Sequence, residues 1–268
     1  MAGERDPYGA FRGGRQAPAR DRRPAGRGQE LRIHGFNAVQ AVFRNRPQDL
    51  RKLYLAEDRI PDLKAVLKWC VANRVGYRVV PEEDLRKLAA SAHHEGVVAD
   101  VRRVEPAPLE PWLAALPEGP ACLLWLDGVG NPHNLGAILR SAAHFGVGAI
   151  LLPAGSELGL SGAAARVAEG GAEAVPMVRL PDTPLAMETL RAAGFTLAAT
   201  VVEGGAGLFG AALPERLVYV LGAEGEGMDR GLAARCDLRL SIPGTGAVES
   251  LNVAAATAVL LAAWAAAR

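Results

Sequence analysis

The chain has 268 residues, which is long enough for one large or two small domains. Half of the residues are apolar, so we expect a substantial core, yet no apolar run reaches the roughly 18 residues of a membrane span. The N-terminus lacks the apolar core of a signal peptide, and the cysteines Cys70, Cys122 and Cys236 lack the spacing of a zinc site. These features predict a cytoplasmic globular protein with reduced cysteines and no bound metal.

The net charge of +1 conceals an uneven distribution of charge. Residues 1–29 contain seven arginines and three acids, whereas the rest of the chain contains 23 basic and 26 acidic residues. This tail is rich in glycine, arginine and proline and has no apolar periodicity, so it is predicted to be disordered. Its arginines suit contacts with phosphates, so RNA binding is one interpretation, and a solvated tail without a function is the other.

Apolar periodicity and turn residues predict a first α/β unit over residues 30–104. The predicted elements are, in chain order, a helix over 33–45, a strand at 53–55, a helix over 61–75, a strand at 77–80, a helix starting at 81–84 and a strand over 96–101. The helix start at 81–84 is predicted from a proline followed by acids, which suit a helix N-terminus. Five prolines then punctuate residues 105–120, which are predicted to form a linker.

A second unit is predicted over residues 121–268. Its predicted strands cover 122–127, 148–152, 175–178, 195–200, 217–221 and 238–242, and its predicted helices cover 134–146, 161–169, 183–193, 229–235 and 250–265. The strands are short and apolar and are separated by helices. This pattern is typical of a parallel sheet that helices cover on both faces.

Three glycine-rich loops follow strands of the second unit. The first loop leads into a helix with Asn134 and Arg140, the second holds Glu224 between glycines, and the third leads to Ser250 and Asn252. Ligands of α/β proteins bind at the carboxyl ends of parallel strands, so the three loops predict one composite site.

Each of these polar residues also has a purely structural interpretation. Asn134 and Ser250 could cap the helices that follow them, because asparagine and serine are favoured N-cap residues. Glu224 could cap helix 229–235 or interact with its dipole. Arg140 could form a surface ion pair. Asn252 is placed in the first turn of the last helix, where asparagine is a mediocre helix former, so hydrogen bonds within the loops are expected for its side chain.

The three motifs resemble those of the SpoU (TrmH-like) 2′-O-ribose methyltransferases of the SPOUT superfamily. The resemblance covers residues 122–264 and rests on segments that occur in family order, namely 131–136 with Arg140, 222–227 and 248–252. In the first unit, residues 33–39 and 93–99 are similar to the start and the end of the small substrate-binding domain of the family. That domain resembles ribosomal proteins that bind RNA. The sequence is most similar to the branch that methylates guanosine in ribosomal RNA and to paralogues of that branch with basic N-terminal extensions.

The resemblance implies an α/β fold in which a C-terminal parallel-sheet SPOUT domain threads a deep trefoil knot. Knots are rare in proteins, so this expectation rests on the family alone. The small α/β domain before it would bind RNA. S-adenosylmethionine would sit bent in the knot, held mainly by main-chain groups of glycine-rich loops, and a homodimer would build the site across two subunits.

The resemblance also implies roles for individual residues. The implied catalytic residues are Asn134, Arg140, Glu224, Ser250 and Asn252. The implied cofactor-binding residues are Thr200, Gly222, Glu224, Gly225, Ile242, Pro243, Ser250, Leu251 and Asn252. In the family pattern Arg140 helps to deprotonate the ribose 2′-hydroxyl. Free arginine has a pKa above ~12 and is a poor base, so clamping a phosphate beside the nucleophile is the alternative role.

Three segments depart from the family pattern. Asn131 stands where close relatives usually have aspartate, Ala254 and Ala255 stand in a segment that is usually Ser-Val-Ala, and Glu169 adds an acid to a run of small residues. These departures leave the identity of the substrate open, because no polar residue of the three motifs is lost.

The sequence therefore predicts transfer of a methyl group from S-adenosylmethionine to a ribose 2′-hydroxyl in RNA, with a guanosine of 23S rRNA as the expected target. A tRNA 2′-O-methyltransferase and a non-catalytic RNA-binding or ribosome-assembly protein with the same fold are the alternatives. A Rossmann enzyme is disfavoured because residues 128–133 lack the third glycine of the dinucleotide motif and contain Pro132.

Overall fold

The computed structural model describes residues 29–223 and 227–268. The predicted tail, apart from Gln29, therefore lies outside the described residues, as do Glu224 and Gly225. Within the described ranges, no helix is both long enough and apolar enough to cross a membrane.

The first unit is a mixed four-stranded sheet with helices. Its elements are β1 (Glu30–His34), α1 (Phe36–Asn45), β2 (Leu50–Leu55), α2 (Lys64–Ala72), β3 (Gly76–Val79), α3 (Glu82–Ala89) and β4 (Val97–Arg102). The strand order is β1-β4-β2-β3, in which β4 is antiparallel to both of its neighbours and β2 and β3 are parallel.

The sequence prediction for this unit was wrong at its start. Residues 30–34 form a strand that was not predicted, and the helix predicted over 33–45 begins only at Phe36. Leu31 and Ile33 are buried and point to the same side of β1, as the two-residue repeat of a strand requires. Gly35, with φ of 98°, separates this strand from α1 in a conformation that favours glycine.

The second unit is an eight-stranded sheet in which every strand pair is parallel. Its elements are β5 (Ala107–Pro108), α4 (Leu109–Ala114), β6 (Ala121–Leu126), α5 (Pro132–Phe145), β7 (Ala149–Leu152), α6 (Gly162–Ala168), α7 (Gly171–Ala174), β8 (Met177–Arg179), α8 (Thr183–Ala192), β9 (Thr196–Thr200), β10 (Ala206–Gly207), β11 (Arg216–Leu221), α9 (Arg230–Arg235), β12 (Leu238–Ser241) and α10 (Val253–Ala266). The strand order is β10-β12-β9-β11-β6-β7-β8-β5.

The predicted parallel sheet with two covered faces is confirmed. Leu124 and Tyr219 belong to an apolar cluster with α5 and α10, whereas Leu123 and Val218 belong to another cluster with α8 and α9. Neighbouring residues of one strand thus contribute to opposite cores, which explains why the strands are apolar throughout. Tyr219 ties α10 to this sheet, because its buried hydroxyl donates a hydrogen bond to the carbonyl oxygen of Leu260 at 3.2 Å.

Residues 105–120, predicted as a linker, contribute to the second sheet. Ala107 and Pro108 form β5, which pairs with β8, and Leu109 at the start of α4 is 2% exposed. Proline is tolerated in β5 because this strand lies at the edge of the sheet.

The first unit also contacts the second, along β1, α1 and α6. His34 at the end of β1 is buried there. Burial lowers the pKa of His34, the positive charges of Arg166 and His94 lower it further, and Glu95 acts in the opposite direction.

Candidate active site

The loops that carry the predicted motifs lie at one edge of the second sheet. The strand order places β12, β9, β11 and β6 side by side, and all four are parallel, so their carboxyl ends meet at the same edge. The last residues of β6 and β11, Leu126 and Leu221, are directly paired. Thr200 at the end of β9 is paired with Leu240 near the end of β12.

A hydrogen bond joins the first and third motifs. The Nδ2 atom of Asn252 donates to Oδ1 of Asn134 at 3.1 Å, and Asn134 is 8% exposed. The Oδ1 atom of Asn252 accepts hydrogen bonds from the main-chain N–H groups of Ala254 at 2.9 Å and Ala255 at 3.3 Å. Asn252 is therefore the N-cap of α10 and at the same time holds Asn134 in place.

The structure corrects the predicted helix caps. Helix α5 begins at Pro132 with Asn131 as its N-cap, and Oδ1 of Asn131 accepts a hydrogen bond from the N–H group of His133 at 2.9 Å. Asn134 is the third residue of α5, so it does not cap this helix. Ser250 does not cap α10, because Asn252 does. Oδ1 of Asp229 accepts a hydrogen bond from the N–H group of Leu232, so Asp229 is the N-cap of α9. One interpretation of the sequence gave this role to Glu224.

Arg140 and Ser250 are both exposed. Arg140 lies on α5 about 9 Å along the helix axis from Asn134, given a rise of about 1.5 Å per residue. Within the part of the chain that the structure describes, neither side chain has a hydrogen bond or an ion pair. Arg140 thus has no ion-pair partner among these residues, so the structure does not support a surface ion pair as its role.

The second motif begins at a close crossing of two main-chain segments. A β-carbon placed on Gly222 would lie 2.4 Å from both the carbonyl carbon of Gly227 and the nitrogen of Met228, so only glycine fits. Ala223 and Gly227 exchange two main-chain hydrogen bonds of 3.0 Å each. The resemblance implies that Gly222 binds the cofactor, and the structure adds a second reason for glycine, which is this approach to protein main chain.

An open cavity of about 360 Å³ lies between residues 206–211 and Pro243, and it is lined by Ala206, Gly207, Phe209, Gly210, Ala211 and Pro243. Its volume lies within the roughly 300–1,000 Å³ of small-molecule sites. β-Carbons placed on Gly207 or Gly210 would meet no described atom within 4 Å, so the space beside these two lining glycines is open. Such a lining of main chain and apolar groups fits a cofactor that is held mainly by main-chain contacts.

Pro243 is the only predicted cofactor residue in the described lining of this cavity. Ile242 precedes it and packs against the core, and Leu251 is 47% exposed. The hydroxyl of Thr200 donates to the carbonyl oxygen of Val220 at 2.9 Å, which links β9 to β11. The sequence prediction missed residues 206–211, although a glycine-rich stretch after strand β9 was the same signal that marked the other three loops.

A second cleft, of about 590 Å³, opens next to the start of α5. Residues 127–130 and Pro132 line one side, and residues 153 and 156–159 line the other. Nη1 of Arg179 donates to the carbonyl oxygens of Pro153 and Ser156 at 2.8 Å each, so the second wall is held in one conformation. The sequence prediction did not find this cleft, because its lining residues come from two separate loops without a shared motif.

Comparison with known proteins adds to this geometry. Residues 121–262 match the SpoU rRNA Methylase family, and residues 32–107 match the family described as RNA 2′-O ribose methyltransferase substrate binding. YfiF of Escherichia coli O157:H7, described as an uncharacterized tRNA/rRNA methyltransferase, is 39% identical over 238 residues, which cover 89% of this chain and 68% of YfiF.

A second relative is the 23S rRNA (guanosine-2′-O-)-methyltransferase RlmB of Nitrosomonas europaea. It is 36% identical over 232 residues, which cover 85% of this chain and 88% of RlmB. Among solved structures, the AdoMet-bound rRNA methyltransferase from Sinorhizobium meliloti superposes with a TM-score of 0.74 at 23% identity, covering 88% of this chain and 87% of that one. This structural match supports the fold.

Proposed function

Because the chain belongs to the SpoU rRNA methylase family, we propose that it transfers a methyl group from S-adenosylmethionine to the ribose 2′-hydroxyl of a guanosine in 23S rRNA. The observation that carries this proposal is the hydrogen bond between Asn252 and the buried Asn134. It joins the helix that carries Arg140 to the segment that follows the cofactor cavity. The RlmB relative, described as a 23S rRNA guanosine methyltransferase, favours guanosine as the target.

The proposed cofactor site is the cavity beside Pro243. When bound, S-adenosylmethionine supplies a methyl group on a positively charged sulfur. Main chain of the glycine-rich segment 206–211 would line the cofactor site, with Ile242 and Leu251 as apolar contacts. Gly222, Gly225 and Thr200 are proposed as further cofactor-binding residues. The open space beside Gly207 and Gly210 supports this role.

Arg140 is proposed to bind the RNA substrate. Arginine stays charged under all ordinary conditions and forms paired hydrogen bonds with phosphate, so Arg140 is suited to hold the phosphate next to the reacting ribose. Asn134 and Asn252 orient each other, and Ser250 and Glu224 complete the proposed polar set. The methyl–sulfur bond would break as the methyl–oxygen bond forms, and the proton of the 2′-hydroxyl would pass to solvent. The reaction then depends mainly on alignment of the 2′-hydroxyl with the methyl group, since correct positioning alone accounts for several kcal/mol of catalysis.

The proposal also covers RNA binding by the first unit and the assembly of the protein. We assign RNA binding to the first unit, supported by its match to a substrate-binding family. A homodimer is proposed because all residues of α10 except Thr257 are apolar and several of these apolar residues are only partly buried. The trefoil knot, the absence of a catalytic metal and a cytoplasmic location are proposed on the basis of family membership.

Labelled methyl transfer to unmodified ribosomal and transfer RNA tests the proposal. A 2′-O-methyl group blocks alkaline cleavage at its own phosphate, so label in alkali-resistant dinucleotides from 23S rRNA is the expected result. Label in mononucleotides would show base methylation and contradict the proposal. Label confined to tRNA would establish the tRNA alternative, and no transfer to any RNA would favour a non-catalytic binder.

Substitution of Arg140 tests the site itself. Arg140→Ala is expected to abolish transfer while S-adenosylmethionine still binds, as measured by calorimetry. Arg235→Ala is the matched control, because Arg235 is exposed and ends α9 just before β12 begins, at the opposite edge of the sheet. Transfer at the wild-type rate in Arg140→Ala would refute the assignment.

A further inference from the structure

Helix α6 is buried between the two units. Ala164 and Ala168 belong to the apolar cluster that contains α5, whereas Ala165 belongs to the cluster of the first unit together with Leu31 and Ile33. A helix of small residues is thus covered on two sides. The first unit packs directly on the second unit, in addition to being connected to it by the chain.

Glycines allow this close packing on both sides of α6. A β-carbon on Gly136 of α5 would lie 2.6 Å from the carbonyl oxygen of Ala164, and one on Gly162 of α6 would lie 2.6 Å from the carbonyl oxygen of Arg32 in β1. Main chain therefore meets main chain at both contacts. Packing of this kind leaves little freedom for one unit to slide relative to the other.

Helix α7 touches the segment of α5 that carries Arg140. A β-carbon on Gly171 would lie 2.7 Å from the carbonyl oxygen of Leu139 and 3.1 Å from Cα of Arg140. Two residues further along α7, Glu173 contacts the first unit. Its carboxylate accepts two hydrogen bonds from Arg46, from Nε at 2.6 Å and from Nη2 at 2.8 Å.

The pair formed by Arg46 and Glu173 is nearly buried and is held from several directions. The two side chains are 11% and 10% exposed. Nη1 of Arg46 also donates to the carbonyl oxygen of Arg102 at 2.8 Å and to Oδ2 of Asp49 at 3.3 Å. Burial by itself lowers the pKa of Arg46, but Glu173 and Asp49 outweigh this effect and raise the pKa, so the guanidinium stays charged.

Glu169 forms a second polar contact between the units. This extra acid of the sequence has φ of 52°, a conformation that is strained for any residue with a side chain. Its carboxylate accepts hydrogen bonds from Nδ2 of Asn37 at 2.6 Å and from Nη1 of Arg166 at 3.1 Å. Arg166 in turn forms an ion pair of 2.7 Å with Glu95 of the first unit.

We propose that Arg46 and Glu173 are positioning residues for methyl transfer, because their nearly buried ion pair and the contact of Gly171 with Arg140 fix the RNA-binding unit relative to Arg140. The pair thereby determines which ribose of a bound RNA reaches the site. This inference rests on the proposed function. It goes beyond that function by assigning selection of the nucleotide to a contact remote from the cofactor.

Glu173→Ala is the decisive variant, with Glu173→Gln as the conservative one that keeps one acceptor oxygen. For Glu173→Ala we expect kcat to fall about 10-fold to 100-fold, because displacement of reacting groups by about 1 Å has an effect of this size. The KM for RNA should change little, because the RNA-binding surface is intact. The fraction of label at other riboses should rise, and Glu173→Gln should be intermediate in both readouts.

Glu188→Ala is the matched control, because Glu188 is an exposed acid on α8 without an ion pair among the described residues. A folded Glu173→Ala protein with the kcat and methylation site of wild type would overturn the inference. Loss of thermal stability with parallel loss of RNA affinity in both Glu173 variants would also overturn it, since that is the result of a merely structural role. Absence of transfer in wild type and in Glu188→Ala would instead refute the proposed function, so the two failures are distinguishable.

Discussion

The hydrogen bond between Asn252 and Asn134 is the contact on which the proposed site depends, and two substitutions separate its roles. Asn252→Ala removes both the N-cap of α10 and the donor to Asn134. Asn252→Asp keeps an oxygen that can accept from the N–H groups of Ala254 and Ala255, but it removes the Nδ2 donor. Aspartate is also a favoured N-cap residue and interacts well with the helix dipole.

The expected magnitudes follow from these contacts. Loss of an N-cap costs about 1 kcal/mol of the free energy of unfolding. Loss of one hydrogen bond to a buried partner costs about 1 kcal/mol more. Asn252→Ala should therefore cost about 2 kcal/mol, and a domain of this size should lose about 4–8 °C in Tm. Asn252→Asp should cost about 1 kcal/mol, and both variants should lose methyl transfer because Asn134 is no longer held.

A double-mutant cycle with Asn134→Ala, followed by urea unfolding, measures the contact itself. The coupling free energy between the two asparagines should be about 0.5–1.5 kcal/mol. Asp182→Ala is the control, because Asp182 caps α8 through the N–H group of Leu185 and has no contact with Asn134. Effects of Asn252→Ala and Asn134→Ala that add to within about 0.3 kcal/mol would refute the reasoning.

Three perturbations test other parts of the structure. Gly222→Ala should weaken S-adenosylmethionine binding at least about tenfold in calorimetry, because its β-carbon would lie 2.4 Å from Gly227 and displace the loop, and an unchanged affinity contradicts this. Acidification should lower the free energy of unfolding. Burial and then Arg166 depress the pKa of His34 in the folded protein. The contribution of His34 to stability is therefore complete above the ordinary histidine pKa of 6.5 and is lost as the pH falls through the pKa of the folded state. His34→Gln should flatten that pH dependence in urea unfolding. Deleting residues 1–28 should weaken RNA binding and flatten its salt dependence, and an unchanged salt slope would reject a role for the tail.

The sequence predicted the second unit better than the first for a physical reason. Strands such as β6 and β11 are apolar over their whole length because both faces are buried, and such runs are easy to detect. In strand β1, only Leu31 and Ile33 show the alternating burial of a strand before Gly35 ends it. The helical spacing of the residues that follow therefore led to the prediction of a helix from residue 33. The helix caps were misplaced because the start of α5 is marked by Pro132, a typical first helical residue, rather than by the most polar side chain of the motif.

The site itself could be predicted only in part. The strand order follows from long-range pairing, so the sequence could predict that the three loops converge but not that Asn252 bonds to Asn134 across 118 positions. The contact of Gly222 with the cofactor stays a prediction, and the sequence did not predict its close approach to Gly227 and Met228. The packing of α6 between the units had no local signal, because alanine and glycine are also frequent in ordinary helices and loops.

The three departures from the family pattern become interpretable once their places are known. Asn131 caps α5 through its side-chain oxygen, which aspartate also provides, so this exchange keeps the cap. The main-chain N–H groups of Ala254 and Ala255 donate hydrogen bonds to Oδ1 of Asn252, so the side chains at these two positions are not required for the contact. Glu169 alone makes a new contact, and that contact joins the two units. Divergence of this chain should therefore alter how RNA is presented more than the chemistry of methyl transfer, and the methylated nucleotide is the property most sensitive to it.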